Sequence, residues 1–319
     1  MRIVIALGGN ALLRRGEPQT VPVQRDNARR AARAIVAIAA GNELIVTHGN
    51  GPQIGLLALQ TASGTAAAAY PLDVLGAETD GMIGYVLEQE LINALGECRV
   101  ATLLTQTEVD PADPAFDHPT KFVGPVYDAV DSRRLVAARR WTIAQDGVHW
   151  RRVVASPEPK DILEVRAVEH LIEAGFITIC VGGGGIPVAR SASGEYTGVE
   201  CVVDKDFASA LLAEKIDAEC LLMLTDVPAV YSDFGTARAR EIRHARPEDL
   251  ELFAFPAGSM GPKVEAARRF ARSGPRRACI GSMEDVTNIL SGRAGTTVTA
   301  AADGIAYAEV RADRPLAQN

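Results

Sequence analysis

RIVIALGGN, residues 2–10, is the stretch on which the reading of this chain turns. A short run of β-branched and leucine side chains enters a glycine pair with no polar spacer. The pattern recurs in LIVTHGNGP, residues 44–52, and in ITICVGGGG, residues 177–185. Continuous apolar runs of this length read as parallel strands buried on both faces. In open α/β sheets, ligands bind just beyond the carboxyl ends of such strands. Glycine at that place lets backbone N–H groups close on an anion with no Cβ in the way. Three glycine turns at equivalent strand ends point to one shared phosphate-handling crevice.

The rest of the 319 residues agrees with a large α/β core. Strand-like and helix-like segments alternate, which favours a three-layer α/β/α sandwich around a mostly parallel sheet. Residues 25–40 read as an alanine-rich helix closed by Gly41. Residues 73–95 read as a long helix with Ile83, Leu87, Leu91 and Leu95 on one face and Gly96 as its stop. A strand is expected at 99–105. Residues 110–159 then break the register with six prolines and both tryptophans. Within them, 141–145 and 148–153 flank Asp146-Gly147, a hairpin signature. So long a stretch is a small protruding subdomain rather than a loop, placed to act as a lid. The main fold is expected to resume at Asp161, a helix cap with Glu164 three residues on, opening a helix to Gly175. A hairpin at 186–203, a helix at 204–216, a strand at 220–225, a helix at 261–273 and a strand at 277–281 follow.

Hydrophobic residues make up 47% and charged residues 23%, with a net charge of −7. That balance leaves no electrostatic footprint for nucleic acid or an anionic membrane. The five cysteines, Cys98, Cys180, Cys201, Cys220 and Cys279, form no C-x-x-C pair. Cys180, Cys220 and Cys279 lie in apolar runs, where a thiol acts as a small hydrophobe. With no leader ahead of the first strand and no 18-residue apolar run, a soluble protein of the reducing cytoplasm is expected.

Two lysines stand out. Lys205 in Asp204-Lys205-Asp206 and Lys263 in GSMGPK (258–263) each fall in the first turn of a helix, where a cation opposes the macrodipole. They read either as solvated surface lysines or as the cations that complete a phosphate site between two helix N-termini. The common nucleotide and hydrolase signatures are missing: no G-x-x-x-x-G-K-[S/T], no dinucleotide-binding G-x-G-x-x-G, no G-x-S-x-G. His48, His118, His149, His170 and His244 have no metal-ligand spacing. His48 is read as bonding the turn backbone, with a role as base the alternative.

Taken together, ALGGN (6–10), THGNGPQ (47–53), CVGGGGIPV (180–188), DKDFAS (204–209) and GSMGPK (258–263) resemble the carbamate kinases of the amino acid kinase superfamily. DPAD (110–113), PTK (119–121) and Gly124-Pro125 match in order as well. The resemblance runs from residue 3 to about residue 300 and implies the amino acid kinase fold. Its N-terminal part, 1–216, would hold the phosphoryl acceptor, with the lid subdomain 110–159 inserted. Its C-terminal part, 217–319, would hold the nucleotide. The implied reaction is reversible phosphoryl transfer between ATP and carbamate, run in catabolic relatives from carbamoyl phosphate and ADP. Lys121, Lys205 and Lys263 would contact the phosphoryl group or nucleotide phosphates, and Asp206 would orient the lysines. Gly8, Gly9, Asn10, Gly49, Asn50, Gly51, Gly183 and Gly184 would cradle the small substrate and the transferring phosphate. Asp204, Thr225, Asp226, Val227, Tyr231 and Met260 would border the nucleotide. Mg²⁺ would arrive on the phosphates of ATP or ADP without a protein metal site, and a homodimer is implied.

One departure sorts the acceptors. Acetylglutamate kinase and several relatives carry a lysine two residues before the first glycine pair, where this chain has Ala6. In carbamate kinases the missing charge comes from the protruding subdomain, and Lys121 sits where that lysine should be. The alternatives are a related enzyme acting on acetylglutamate, glutamate or UMP, and a non-catalytic sensor of nucleotide or carbamoyl phosphate.

Overall fold

The first strand, β1 (Arg2–Leu7), has no solvent face: Ile3, Ile5 and Leu7 are buried on one side, Val4 and Ala6 on the other. Such a strand fits only the middle of a sheet covered by helices on both sides. The computed structural model places it there. It describes residues 1–13, 17–18, 20–63, 70–139, 141–256, 258–272 and 274–309, apart from the side chains of residues 10, 11, 62, 63, 125 and 139.

After β1 come a one-turn helix α1 (Gly9–Leu12), α2 (Val21–Val36), β2 (Glu43–His48), α3 (Gly51–Ser63) and α4 (Leu72–Leu95). Then follow β3 (Val100–Thr102), β4 (Gln106–Val109), β5 (Lys121–Tyr127), α5 (Ala129–Arg139), β6 (Ile143–Asp146), β7 (His149–Val154) and β8 (Pro159–Ile162). Next in the chain are α6 (Val165–Glu173), β9 (Ile177–Ile179), β10 (Ile186–Arg190), β11 (Tyr196–Gly198), α7 (Lys205–Lys215) and β12 (Cys220–Thr225). The last are β13 (Val230–Ser232), β14 (Arg240–Ala245), α8 (Met260–Arg272), β15 (Arg277–Ser282), α9 (Val286–Leu290), β16 (Thr296–Val298) and β17 (Ala306–Tyr307).

The main sheet runs β13-β14-β16-β15-β12-β1-β2-β9-β3, with β17 on β14. From β15 to β3 every pairing is parallel; antiparallel pairs occur only at the β13–β17 end. One face packs on α6, α7 and α8 through Val168, Leu212 and Phe270, the other on α2 and α4 through Ile35, Leu87 and Leu91. The expected three-layer sandwich is present. Because β12, β1, β2 and β9 are neighbours and parallel, their carboxyl ends open on one side: the Gly8 N–H donates to Leu224 O at 3.0 Å and the Gly49 N–H to Leu7 O at 3.1 Å.

Several boundaries differ from the sequence reading, each for a physical reason. α2 starts at Val21 rather than residue 25 because Pro22 suits a first helical turn. The strand expected at 99–105 is shorter, β3 at Val100–Thr102, and a strand not expected, β4, follows it in a second sheet, β11-β10-β4-β8. Asp161 does not cap a helix. It lies in β8, paired with Glu108, while Glu164 accepts from the backbone and side-chain N–H groups of Gln106 at 2.7 and 2.9 Å. A carboxylate so engaged is lost to a capping box, and α6 begins only at Val165. α3 was hidden in the sequence by Gly51-Pro52, which reads as a turn yet serves as a helix start. Ser273, the expected end of the penultimate helix, and residues 310–319 of the expected C-terminal part lie outside the described residues.

The excursion folds on a sheet of its own, β5-β7-β6, with α5 beside it and the Asp146-Gly147 hairpin where expected. It is also tightly seated on the body. A Cβ on Gly55 of α3 would stand 1.9 Å from Gly124 Cα of β5, two backbones in direct contact. Neither backbone has a soft side chain to yield, so Gly55→Ala is expected to lower the urea midpoint, by an overpacking cost of about 2 kcal/mol. A variant with an unchanged midpoint would show that this contact is not part of the ground state.

Candidate active site

α7 begins where the glycine turns converge. Asp204 has extended backbone and caps the helix, its Oδ1 accepting from the Asp206 N–H at 2.8 Å. Lys205 and Asp206 are thereby fixed as the first helical residues, and both are buried. The Lys205 ammonium donates to Asp206 Oδ1 at 2.5 Å. Lys263, in the first turn of α8, donates to Asp206 Oδ2 at 3.2 Å and to Ser259 O at 3.4 Å. One buried carboxylate thus holds two lysines, one on each oxygen.

Burial alone would raise the Asp206 carboxyl, but Lys205 and then Lys263 outweigh it and hold the group far below the usual carboxylate range. For Lys205, burial wins and pulls the ammonium down despite Asp206. For Lys263 burial acts the same way, but Asp206 prevails and holds the ammonium above its ordinary value. Lys205 is buried, Lys263 is half-buried, and both meet one carboxylate, which is not the setting of solvated surface lysines.

Lys121 arrives from β5 of the excursion. Its ammonium donates to Asp204 Oδ2 at 2.5 Å, so Asp204 caps the helix with one oxygen and holds a cation with the other. Three ammonium groups are thereby gathered around Asp204 and Asp206, donors of the kind that complete the shell of a phosphate.

The glycines close around this cluster. A Cβ on Gly49 would meet Gly9 N at 3.1 Å and Lys205 Cε at 3.6 Å, and one on Gly8 would meet Leu224 O at 3.2 Å. Gly183 lies against Asn50, and Gly184 against Val203, the residue before Asp204. Gly183 and Gly184 have φ of +64° and +96°, backbone that L side chains rarely adopt. Gly51 opens α3 beside them. The side chain of Asn10 is outside the described residues.

At the end of β12, Thr225 donates to Asp226 Oδ1 at 3.0 Å, and Val227 follows half-buried. Asp226 also contributes to the field on Lys263. Met260 opens α8 and packs partly on the core. Tyr231 is directed to Glu241, with its Oη 3.5 Å from Oε2, and its ring centroid is 6.0 Å from that of Phe234.

Set against known proteins, residues 1–282 match the family model described as the amino acid kinase family. The chain is 54% identical to a carbamate kinase of Haemophilus influenzae over 308 residues, covering 96% of this chain and 99% of the relative. The chain belongs to the amino acid kinase family. Within it the resemblance is to carbamate kinases, including one from Pyrococcus horikoshii, 45% identical over 93% of this chain and 99% of the relative. A solved structure of the carbamate kinase of Giardia lamblia bound to AMP-PNP superposes with a TM-score of 0.85 at 38% identity, over 93% of this chain and 98% of that one. As an amino acid kinase, the chain is a phosphotransferase.

Sequence reasoning missed the groups of this kinase that seat the glycine turns. Thr105 Oγ1 accepts from the Val181 N–H at 2.6 Å, and Thr107 donates to Gly184 O at 2.8 Å. Thr47 and Ser209 share a 2.7 Å hydrogen bond between β2 and α7. Isolated threonines, Thr105 between β3 and β4 and Thr107 in β4, carry no signal of such a task. His48 Nδ1 stands 3.4 Å from Gly49 O, as the preferred sequence reading has it. Cys180, beneath the third turn, is a packed thiol whose pKa is raised by burial.

A depressed carboxyl stabilises the fold above its unfolded pKa, about 3.9 for Asp, and loses that contribution as pH falls toward the folded value. Asp206→Asn should therefore lower the urea midpoint equally at pH 7 and pH 5, with the gap closing only below about pH 4. A gap already lost at pH 5 would show that the lysines do not hold Asp206 ionised.

Proposed function

We propose that this chain catalyses reversible phosphoryl transfer between ATP and carbamate, working chiefly from carbamoyl phosphate and ADP toward ATP. The observation that carries this reading is the Lys205–Asp206–Lys263 cluster at the mouth of the glycine turns, with Lys121 delivered to it by the excursion. The chemistry suits such a site. An oxygen of the ADP β-phosphate attacks the phosphorus of carbamoyl phosphate, the bond from phosphorus to the carbamate oxygen breaks, and its electron pair leaves on carbamate. Nucleophile and leaving group are both oxyanions, so no proton has to move and no general base is needed. Positioning and charge neutralisation supply most of the catalysis in such transfers. Lys205 and Lys263 would neutralise the transferring group, the turns at 8–10 and 49–51 would hold the carbamate end, and 225–227 with Met260 would border the nucleoside.

Asp206 already serves two lysines, and Asp204 a helix cap and Lys121, so neither offers a free metal ligand. Mg²⁺ is therefore read as arriving on the nucleotide phosphates, whose charge it would offset. The excursion is read as a lid that excludes water from a labile phosphate and carries Lys121. Ala6, buried in β1, lacks the cation that larger-acceptor relatives are expected to carry there, which favours carbamate. Purified protein given carbamoyl phosphate and Mg²⁺-ADP should form ATP, and acetylglutamate or UMP with ATP should give almost no product. Lys121→Ala, Lys205→Ala and Lys263→Ala should each lower kcat on the order of 10²-fold or more. Comparable turnover of acetylglutamate would sink the acceptor assignment.

The reading includes a homodimer in the cytoplasm. Four cysteines are buried and free and Cys98 is exposed and free, as suits a reducing compartment. Among the described residues no helix is long and apolar enough to cross a membrane. Val74, Met82 and Tyr85 form one exposed stripe along α4, a face suited to a second copy. Light scattering should give twice the chain mass at micromolar concentration, and Tyr85→Glu should shift it toward the monomer. A monomer in the unaltered protein would overturn the dimer.

A further inference from the structure

Behind the glycine turns, on the α4 side of the sheet, lies a polar pair that the proposed transfer leaves unused. His48, the last residue of β2, and Asp80 of α4 are both fully buried, with Nε2 3.4 Å from Oδ1. Among the described residues, neither oxygen of Asp80 nor His48 Nε2 has a hydrogen bond of good geometry. A buried carboxylate without donors is costly to ionise alone. A ring whose Nδ1–H faces the Gly49 carbonyl has, when neutral, a bare Nε2. One proton held between Nε2 and Oδ1 answers both needs, whether it is written on the ring or on the carboxyl.

The pair touches both substrate-facing turns. A Cβ on Gly182 would stand 1.8 Å from Asp80 Oδ1 and 2.6 Å from His48 Cε1, so only glycine lets that turn rest on the pair. Next to Asp80, Thr79 accepts from Asn50 Nδ2 at 2.9 Å while donating to Gly76 O at 2.8 Å. Asn50 in turn lies against Gly183. Two successive residues of α4 thus seat the turn after β2 and the turn after β9.

We propose that His48 and Asp80 are positioning residues. Through a shared proton they lock the turns at 49–51 and 182–184 into one rigid cradle for the acceptor-side phosphate. The inference rests on the function proposed above, and it predicts an effect on one substrate only. Asp80→Ala should raise KM for carbamoyl phosphate about tenfold while KM for ADP stays within about twofold. Asp80→Asn, whose amide can donate to Nε2 in the same space, should recover most of that loss. Removing both partners together leaves neither the ring nor the carboxylate buried without the other, so His48→Leu/Asp80→Leu should fold even if Asp80→Ala does not. It should show the same selective rise in KM. Equal rises for both substrates, unchanged KM values, or an Asp80→Asn variant no better than Asp80→Ala would overturn the pair. If the unaltered protein turns over no carbamoyl phosphate, the proposed function fails by itself. The pair is then judged by thermal protection: the variants should lose protection by inorganic phosphate and keep protection by ADP, and any other pattern overturns it.

Discussion

A single buried carboxylate organises this molecule's working end. Asp206 is buried, and an isolated ionised carboxyl there would be costly; Lys205 and Lys263 make it tolerable, and it makes them tolerable in turn. The three groups come from the first turns of α7 and α8, whose N-termini lie at the carboxyl-end side of the sheet because each helix leads into a parallel strand, β12 or β15. Removing the acid would leave two ammonium groups facing each other beside two helix N-termini, all of the same sign. The carboxylate is therefore what allows the lysines to gather where the glycine turns converge.

The cradle is set by close approach rather than by side-chain chemistry. Gly8, Gly49, Gly183 and Gly184 stand against the Leu224 carbonyl, Gly9, Asn50 and the Val203 carbonyl, all at distances that a Cβ would violate or strain. These contacts exist because β12, β1, β2 and β9 are adjacent and parallel, which brings four strand ends to one level. Thr107 of β4 in the second sheet and Thr105 just before that strand add a grip on the turn after β9.

The excursion reaches the start of α7. Ala6 of β1 is packed in the core, while Lys121 comes to Asp204 from a segment more than a hundred residues along the chain. Its partner, Asp204, is the residue that starts α7. The position of the excursion and the start of the lysine-bearing helix are thus coupled through one side chain.

The sequence by itself determined the layered α/β class, the three glycine-ended strands, the hairpin at Asp146-Gly147 and the first-turn positions of Lys205 and Lys263. Each is written in local pattern: unbroken apolar runs, glycine where a Cβ would clash, lysine where a helix dipole disfavours it. It also led to errors of the same origin. Asp161 with Glu164 satisfies the local rule for a capping box, yet Asp161 pairs with β4 and Glu164 accepts from Gln106 at its start; Gly51-Pro52 satisfies the local rule for a turn, yet begins α3. Only the tertiary structure decided that Asp206 serves both lysines, that Lys121 pairs with Asp204, that Gly55 abuts Gly124, and that His48 meets Asp80. Those pairings join residues distant in the chain. Their energies depend on burial and on distances of a few ångströms, which packing fixes and a linear pattern does not encode.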